Sequence, residues 1–332
     1  MSFDLKCCPL CEKEKFDPAY LAKDRHYGIP GRHSIVRCAG CSLVFLNPMY
    51  SDEELGALYP ADYYAYQDRF SRKPWKDFLK RWLGMRIGTR DPVFEKPGVM
   101  LDLGCGSGWF MCDMRAQGWD THGVEINRLA AELGRKTAGL NIFPGDLGQA
   151  KYPSSFFDYI RSNHSFEHIC RPSQTLEEIH RILRPGGKVL IGVPNVAGLS
   201  ARVFGEYWWY LGAPVHPFTY SVETLSGILS KHNLCVQKVT YNSDYSGILG
   251  SFQIWLNRRN GRKSTEGRAI NNLILRILCQ WAAKCLDFLE LGDAIEIVAV
   301  KTAKQFEALD LLDENRRRVT RYATATIEKA NA

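Results

Sequence analysis

Val99-Met-Leu-Asp102-Leu-Gly104-Cys-Gly106-Ser-Gly108 reads as an apolar strand that carries one acid and ends in a turn with glycine at alternate positions. Glycine permits a sharp turn and lets backbone approach a ligand closely. Trp109-Phe-Met-Cys-Asp-Met114 then opens a helix, so a ligand above the turn meets backbone N–H groups at a helix start. A dinucleotide loop follows G-x-G-x-x-G, but here Trp109 stands where the third glycine falls. Asp102 beside the turn repels a pyrophosphate and suits a cationic ligand such as an ammonium or a sulfonium.

Outward from this turn, short apolar runs alternate with helical stretches. The predicted strands are Val99–Leu103, Thr121–Glu125, Asn141–Phe143, Phe157–Arg161, Lys188–Val193, Leu234–Tyr241 and Ile295–Lys301. Such alternation implies βαβ units and an α/β fold with a mostly parallel, seven-stranded sheet. Open sheets of this kind bind ligands at the carboxyl ends of the strands. Four polar positions fall there. Glu125 ends the second strand at the spacing where an acid reaches a ribose diol. Asp146 follows the third, Asn163 follows the fourth, and Asp102 lies within the first. With Gly104, Cys105, Gly106, Gly108, Ile126 and Leu147 they form the expected cofactor edge.

The N-terminal region has different chemistry. Cys8-Pro-Leu-Cys11 and Cys38-Ala-Gly-Cys41 are two C-x-x-C knuckles, the pattern that places four thiolates around Zn2+. A closed four-thiolate site is structural, and it stabilises a segment too small for its own core. Cys7 competes with Cys8, but the x-x spacing favours Cys8. The eleven cysteines are an odd number, and no basic-then-apolar leader opens the chain, which argues for reduced thiols in a cytoplasmic protein.

The 332 residues are enough for one α/β domain with appendages, expected as a zinc ribbon (1–48), a helical lid or linker (49–96), the α/β domain (97–303) and a helical tail (304–332). In the lid, Ser51 and Glu54 read as a capping box, and Trp75–Ile87 has helical apolar spacing. Ala269–Leu291 is apolar with polar interruptions and reads as a cover helix beside the sheet, with a helix lying on a membrane surface as the alternative. No apolar run is long enough to predict a membrane span. The formal charge of +7 fits an anionic substrate or weak membrane contact and is too small to imply nucleic acid.

The order of these segments resembles class I S-adenosylmethionine-dependent methyltransferases, over about residues 97–241 plus the final strand. Leu103-Gly-Cys-Gly-Ser-Gly108 resembles their first motif, Ser165-Phe-Glu-His168-Ile their "LEHV" segment, Leu183-Arg-Pro-Gly-Gly-Lys-Val-Leu-Ile191 their "LkPGG" segment and Val193-Pro-Asn195 their "vPN" ending. The resemblance assigns Glu125 to the ribose and Asp146 to the adenine of the cofactor. Cys38-Ala-Gly-Cys-Ser-Leu-Val-Phe-Leu-Asn-Pro48 is similar to a subgroup with an N-terminal zinc ribbon, linked to bacterial surface-glycan and nucleotide-sugar methylation.

Methyl transfer from a sulfonium is an in-line displacement, and a hydroxyl or acidic carbon acceptor needs a general base. His216, His168 and His164 are the candidates, with Tyr207-Trp-Trp-Tyr210 as a surface for a sugar ring. Two other classes compete. An RNA methyltransferase can carry a cysteine ribbon, but charges of both signs are interspersed here, and Ser162-Asn-His-Ser165 replaces the Pro-Pro-aromatic motif of amino-methylating nucleic-acid enzymes. A non-catalytic cofactor-binding scaffold with the tail as a docking helix is the third.

Overall fold

The computed structural model describes residues 3–58, 91–260 and 262–302. The expected helix at Trp75–Ile87 and the helical tail lie outside the described residues. Eleven strands are described in chain order. β1 (Phe16–Ala22), β2 (His33–Cys38) and β3 (Val44–Leu46) precede β4 (Val99–Leu103), β5 (Asp120–Glu125), β6 (Asn141–Pro144) and β7 (Phe157–Asn163). β8 (Leu183–Pro194), β9 (Phe218–Thr219), β10 (Leu234–Tyr241) and β11 (Ala294–Lys301) complete them.

Seven strands form the main sheet in the order β10-β11-β8-β7-β4-β5-β6. Neighbours from β8 to β6 run parallel, whereas β11 is antiparallel to both β8 and β10. This is the Rossmann-like, mostly parallel sheet expected. Val189, Leu190, Ile191 and Val193 of β8 are fully buried, because helices cover both faces of a parallel sheet and leave no polar side.

The other sheet, β1-β2-β3-β9, is antiparallel and joins the N-terminal segment to the region after β8. Its last strand, β9, comes from the loop after Pro217, and Phe45 of β3 packs on Phe218 with ring centroids 5.9 Å apart. Lys231 reaches back to Glu12 at 2.7 Å. The cysteine-bearing segment therefore shares a sheet and a core with the loop region that follows β8. The capping box is present: Ser51 caps helix Asp52–Ala57 together with Glu54.

Helix Leu273–Phe288 departs from expectation. It does not cover the sheet with its apolar side. Gln280 and Ala283 are its buried residues, and Asp287 accepts hydrogen bonds from the Ser243 N–H (2.8 Å) and hydroxyl (2.6 Å). Gln280 and Asp287 point inward to satisfy backbone and hydroxyl groups, which turns the aliphatic stripe outward.

Candidate active site

A cavity of about 480 Å³ opens at the carboxyl ends of β4, β5, β6 and β7. Asp102, Gly104, Cys105, Gly106, Glu125, Ile126, Asp146, Leu147 and Asn163 all line it. The structure thus brings nine of the expected cofactor positions to one wall. Gly108 is not among the lining residues. It sits at φ +82° as the cap of helix Trp109–Arg115, where a side chain would press on Leu140 and Ile142. Gly104, at φ +74°, has room for no side chain because Ser165 occupies that space, which leaves bare backbone at the cavity wall.

Glu125 is buried, and its carboxylate anchors the turn. One oxygen accepts the Gly106 N–H and the other the Asn127 N–H, both at 2.8 Å. Burial pushes its carboxyl upward, and these two N–H donors pull it back. Each oxygen retains a lone pair for a further donor. Asp146 is exposed at the cavity rim, where its carboxylate caps the next turn by accepting the Gln149 N–H at 2.9 Å. Asn163 has a buried side-chain oxygen with no partner among the described residues, an unmet acceptor in the cavity wall.

Asp102, expected to suit a cationic ligand, lines the cavity and is paired within the protein. Arg161 of β7 donates to it at 2.9 Å, and both are buried. The guanidinium also lies 3.8 Å above the Phe110 ring and 3.4 Å from Asp91, which accepts the Tyr159 hydroxyl at 2.6 Å. Burial works against the Arg161 charge, but Asp102 and Asp91 outweigh it, so the guanidinium stays ionised. Parallel pairing of β4 with β7 places Asp102 directly opposite Arg161.

His164 and His168 line the far end of the cavity, whereas His216 is not among its lining residues. His216 stands behind His168, with ring centroids 4.6 Å apart. His168 Nδ1 lies 2.8 Å from the Val215 carbonyl and His216 Nδ1 lies 2.9 Å from the Tyr210 carbonyl. A carbonyl only accepts, so each Nδ1 carries the proton and each Nε2 is an acceptor in the neutral ring. Burial holds His216 down at about 3, aided by the field of His168. His164 adopts φ +52°, a left-handed backbone rare for such a residue, and approaches Glu167 at 3.4 Å.

Glu167 escaped the sequence reading, although it lies inside the quoted Ser165–Ile169 segment. It is buried beneath the three histidines. Burial opposes its charge, but His164, His168 and His216 together prevail and keep the carboxyl at about 2. One carboxylate oxygen has no donor among the described residues. Trp109, Phe110, Arg161 and Arg171 also line the cavity, as do Leu55 and Gly56 from helix Asp52–Ala57.

The four cysteines form a separate cluster. Cys8 and Cys41 Sγ are 3.5 Å apart, Cys11 and Cys38 Sγ are 3.4 Å apart, and all four lie within 4.8 Å of one another. Thiolates around zinc at about 2.3 Å stand roughly 3.8 Å apart in a tetrahedron, so the donor set fits. The Gly40 N–H points at Cys38 Sγ at 3.3 Å, as in a metal knuckle. Cys7 is exposed and outside the cluster.

A Rossmann-like sheet whose glycine turn and strand-end acid wall one edge cavity is an arrangement suited to a nucleoside-bearing cofactor. Residues 67–239, just over half of the chain, match the family described as a methyltransferase domain, and the chain belongs to that family. It carries an S-adenosylmethionine-dependent methyltransferase domain. Among curated relatives, malonyl-acyl-carrier-protein O-methyltransferase of Erwinia pyrifoliae is 27% identical over 142 residues, 41% of this chain and 53% of that enzyme. Demethylmenaquinone methyltransferase of Deinococcus radiodurans is 27% identical over 164 residues, 44% of this chain and 68% of that enzyme. The match thus spans about half the length of the Erwinia enzyme. Among solved structures, an S-adenosylmethionine-dependent methyltransferase of Archaeoglobus fulgidus aligns over 70% of this chain and 95% of its own, at 19% identity and a TM-score of 0.44.

Proposed function

We propose that the enzyme methylates a small-molecule or glycan acceptor, a nucleotide sugar or polysaccharide unit, with His168 as the general base. The gathering of Glu167, His164, His168 and His216 at one end of the cofactor cavity carries this reading. The bound cofactor supplies an electrophilic methyl group on its sulfonium. Glu125 holds the ribose diol, Asp146 with Ile126 and Leu147 holds the adenine, and the backbone at Gly104, Cys105 and Gly106 lies against the remainder. Asn163 offers its unmet oxygen to the cofactor's amino group.

At the acceptor end, His168 Nε2 takes the proton as the acceptor attacks. Glu167 stabilises the resulting imidazolium, the work a buried carboxylate does best next to a base. His216 stays neutral and fixes the His168 ring from behind, so it is a positioning residue. His164 and Tyr210, whose rings lie nearly parallel with centroids 6.3 Å apart, present a face for a sugar. Helix Asp52–Ala57 contributes to the cavity wall, which favours residues 49–96 as a lid over the 97–303 catalytic domain. The four cysteines hold Zn2+ as a closed structural site in a ribbon over 1–48.

Transfer of labelled methyl from the cofactor is to be tested on a panel of nucleotide sugars and surface polysaccharides, with ribosomal RNA as a control. The expected result is labelling of one sugar class. His168→Ala should lower turnover by about a hundredfold or more while leaving cofactor affinity unchanged. Labelling of RNA alone overturns the glycan reading, and undiminished turnover in His168→Ala overturns the base.

A further inference from the structure

Helix Leu273–Phe288 is amphipathic the wrong way round for a protein core. Ile274, Leu278, Trp281 and Phe288 recur at helical spacing on one side and are 69%, 60%, 54% and 88% exposed. Its opposite side carries buried Gln280, whose side-chain oxygen accepts the Tyr245 N–H at 3.2 Å, and Asp287. Nearby, helix Ser251–Asn257 exposes Phe252, Trp255 and Leu256. Both helices pack on the turn Ser246–Gly250. A set of exposed aliphatic and aromatic side chains this extensive marks an interaction surface.

Charge identifies what it meets. Residues 258–284 contain Arg258, Arg259, Arg262, Lys263, Arg268, Arg276 and Lys284 against the single acid Glu266. That surplus of six is most of the chain's formal +7. The cations lie beside the aromatics: Arg258 is 3.9 Å from the Trp255 ring centroid and Lys284 is 5.4 Å from that of Trp281. Apolar stripe, tryptophan and flanking cations together are the composition of a helix lying in a lipid–water interface.

We infer that the face formed by helices Ser251–Asn257 and Leu273–Phe288 docks on an anionic lipid bilayer surface. Among the described residues no helix is long and apolar enough to cross a membrane, so the contact is peripheral. The face also adjoins the acceptor end of the cavity. Tyr210, whose ring faces His164, donates its hydroxyl to Asp244 at 2.8 Å, and the Trp209 N–H donates to Ser251 Oγ at 2.9 Å. Docking would hold that end of the cavity next to the membrane surface. The inference goes beyond the glycan reading and stands without it.

The test is co-sedimentation of the full-length protein with vesicles of phosphatidylcholine alone or with added phosphatidylglycerol. The expected result is binding that requires the anionic lipid and weakens as salt rises. Ile274→Glu with Phe288→Glu should weaken it at least about tenfold, as should Arg262→Glu with Lys263→Glu. Cofactor affinity, unchanged in both variants, reports intact folding. No binding to anionic vesicles by the parent, or equal binding by the variants, overturns the inference. So does light scattering that shows a dimer in the parent and a monomer in the apolar-face variant, since a second copy then covers this face. A negative methylation screen leaves the vesicle result unaffected.

Discussion

Asp293, between helix Leu273–Phe288 and β11, is buried and accepts hydrogen bonds from the Ser200 hydroxyl (2.7 Å) and the Trp208 indole (3.1 Å). Burial pushes its carboxyl up to about 6, the two hydrogen bonds pull it down, and nearby Asp244 and Asp287 add to the rise. The folded chain therefore keeps a proton that the unfolded chain loses at its ordinary value near 4. Its contribution is fully present below about pH 4, falls as pH rises to about 6, and amounts to roughly 3 kcal/mol across that window. Asp293→Asn should flatten the fall in stability between about pH 4 and 6, measured by urea unfolding at several pH values. A variant that keeps the parent's slope contradicts this. Residues whose role depends on chain spacing were legible: Glu125 and Asp146 sit at strand ends where the pattern put them. Arg161 and Glu167 were not, because their partners are remote in sequence or gathered by a loop, as Asp102 is 59 positions from Arg161.

At the level of elements, the parallel strands were readable because burial on both faces demands continuous apolar runs. β9 was not, since two residues, Phe218 and Thr219, carry no periodicity and pair only because β3 meets them. The orientation of helix Leu273–Phe288 also escaped. A mostly apolar helix does not reveal which side the protein satisfies, and here Gln280 and Asp287 decide it through hydrogen bonds. The shared sheet gives the cysteine cluster a wider reach than its own segment. Loss of metal should loosen β1, β2 and β3, and through β3 the β9 loop that follows His216. As-purified protein should contain one zinc per chain, and Cys8→Ser should release it and lower the thermal midpoint, read by metal analysis and melting. Zinc-free parent protein with the same midpoint after chelation contradicts the structural metal.

For the whole molecule, one sheet edge serves two ends of one cavity. The glycine turn, Glu125 and Asp146 line one part, and His164 and His168, with Glu167 and His216 behind them, another. Between them, the Arg161 guanidinium is shared by Asp102 and the partly exposed Asp91, and Phe110 covers it. Family membership rests on residues 67–239, which hold the cofactor edge, whereas the cysteine cluster and the inverted helix lie outside that span. The central claim is that this edge binds S-adenosylmethionine. Isothermal titration of the full chain with that cofactor tests it most directly. The account predicts one site per chain, weakened at least about tenfold by Glu125→Gln because the ribose then faces an amide where two acceptor oxygens stood. No binding by the parent, or undiminished binding by a folded Glu125→Gln variant, would contradict it.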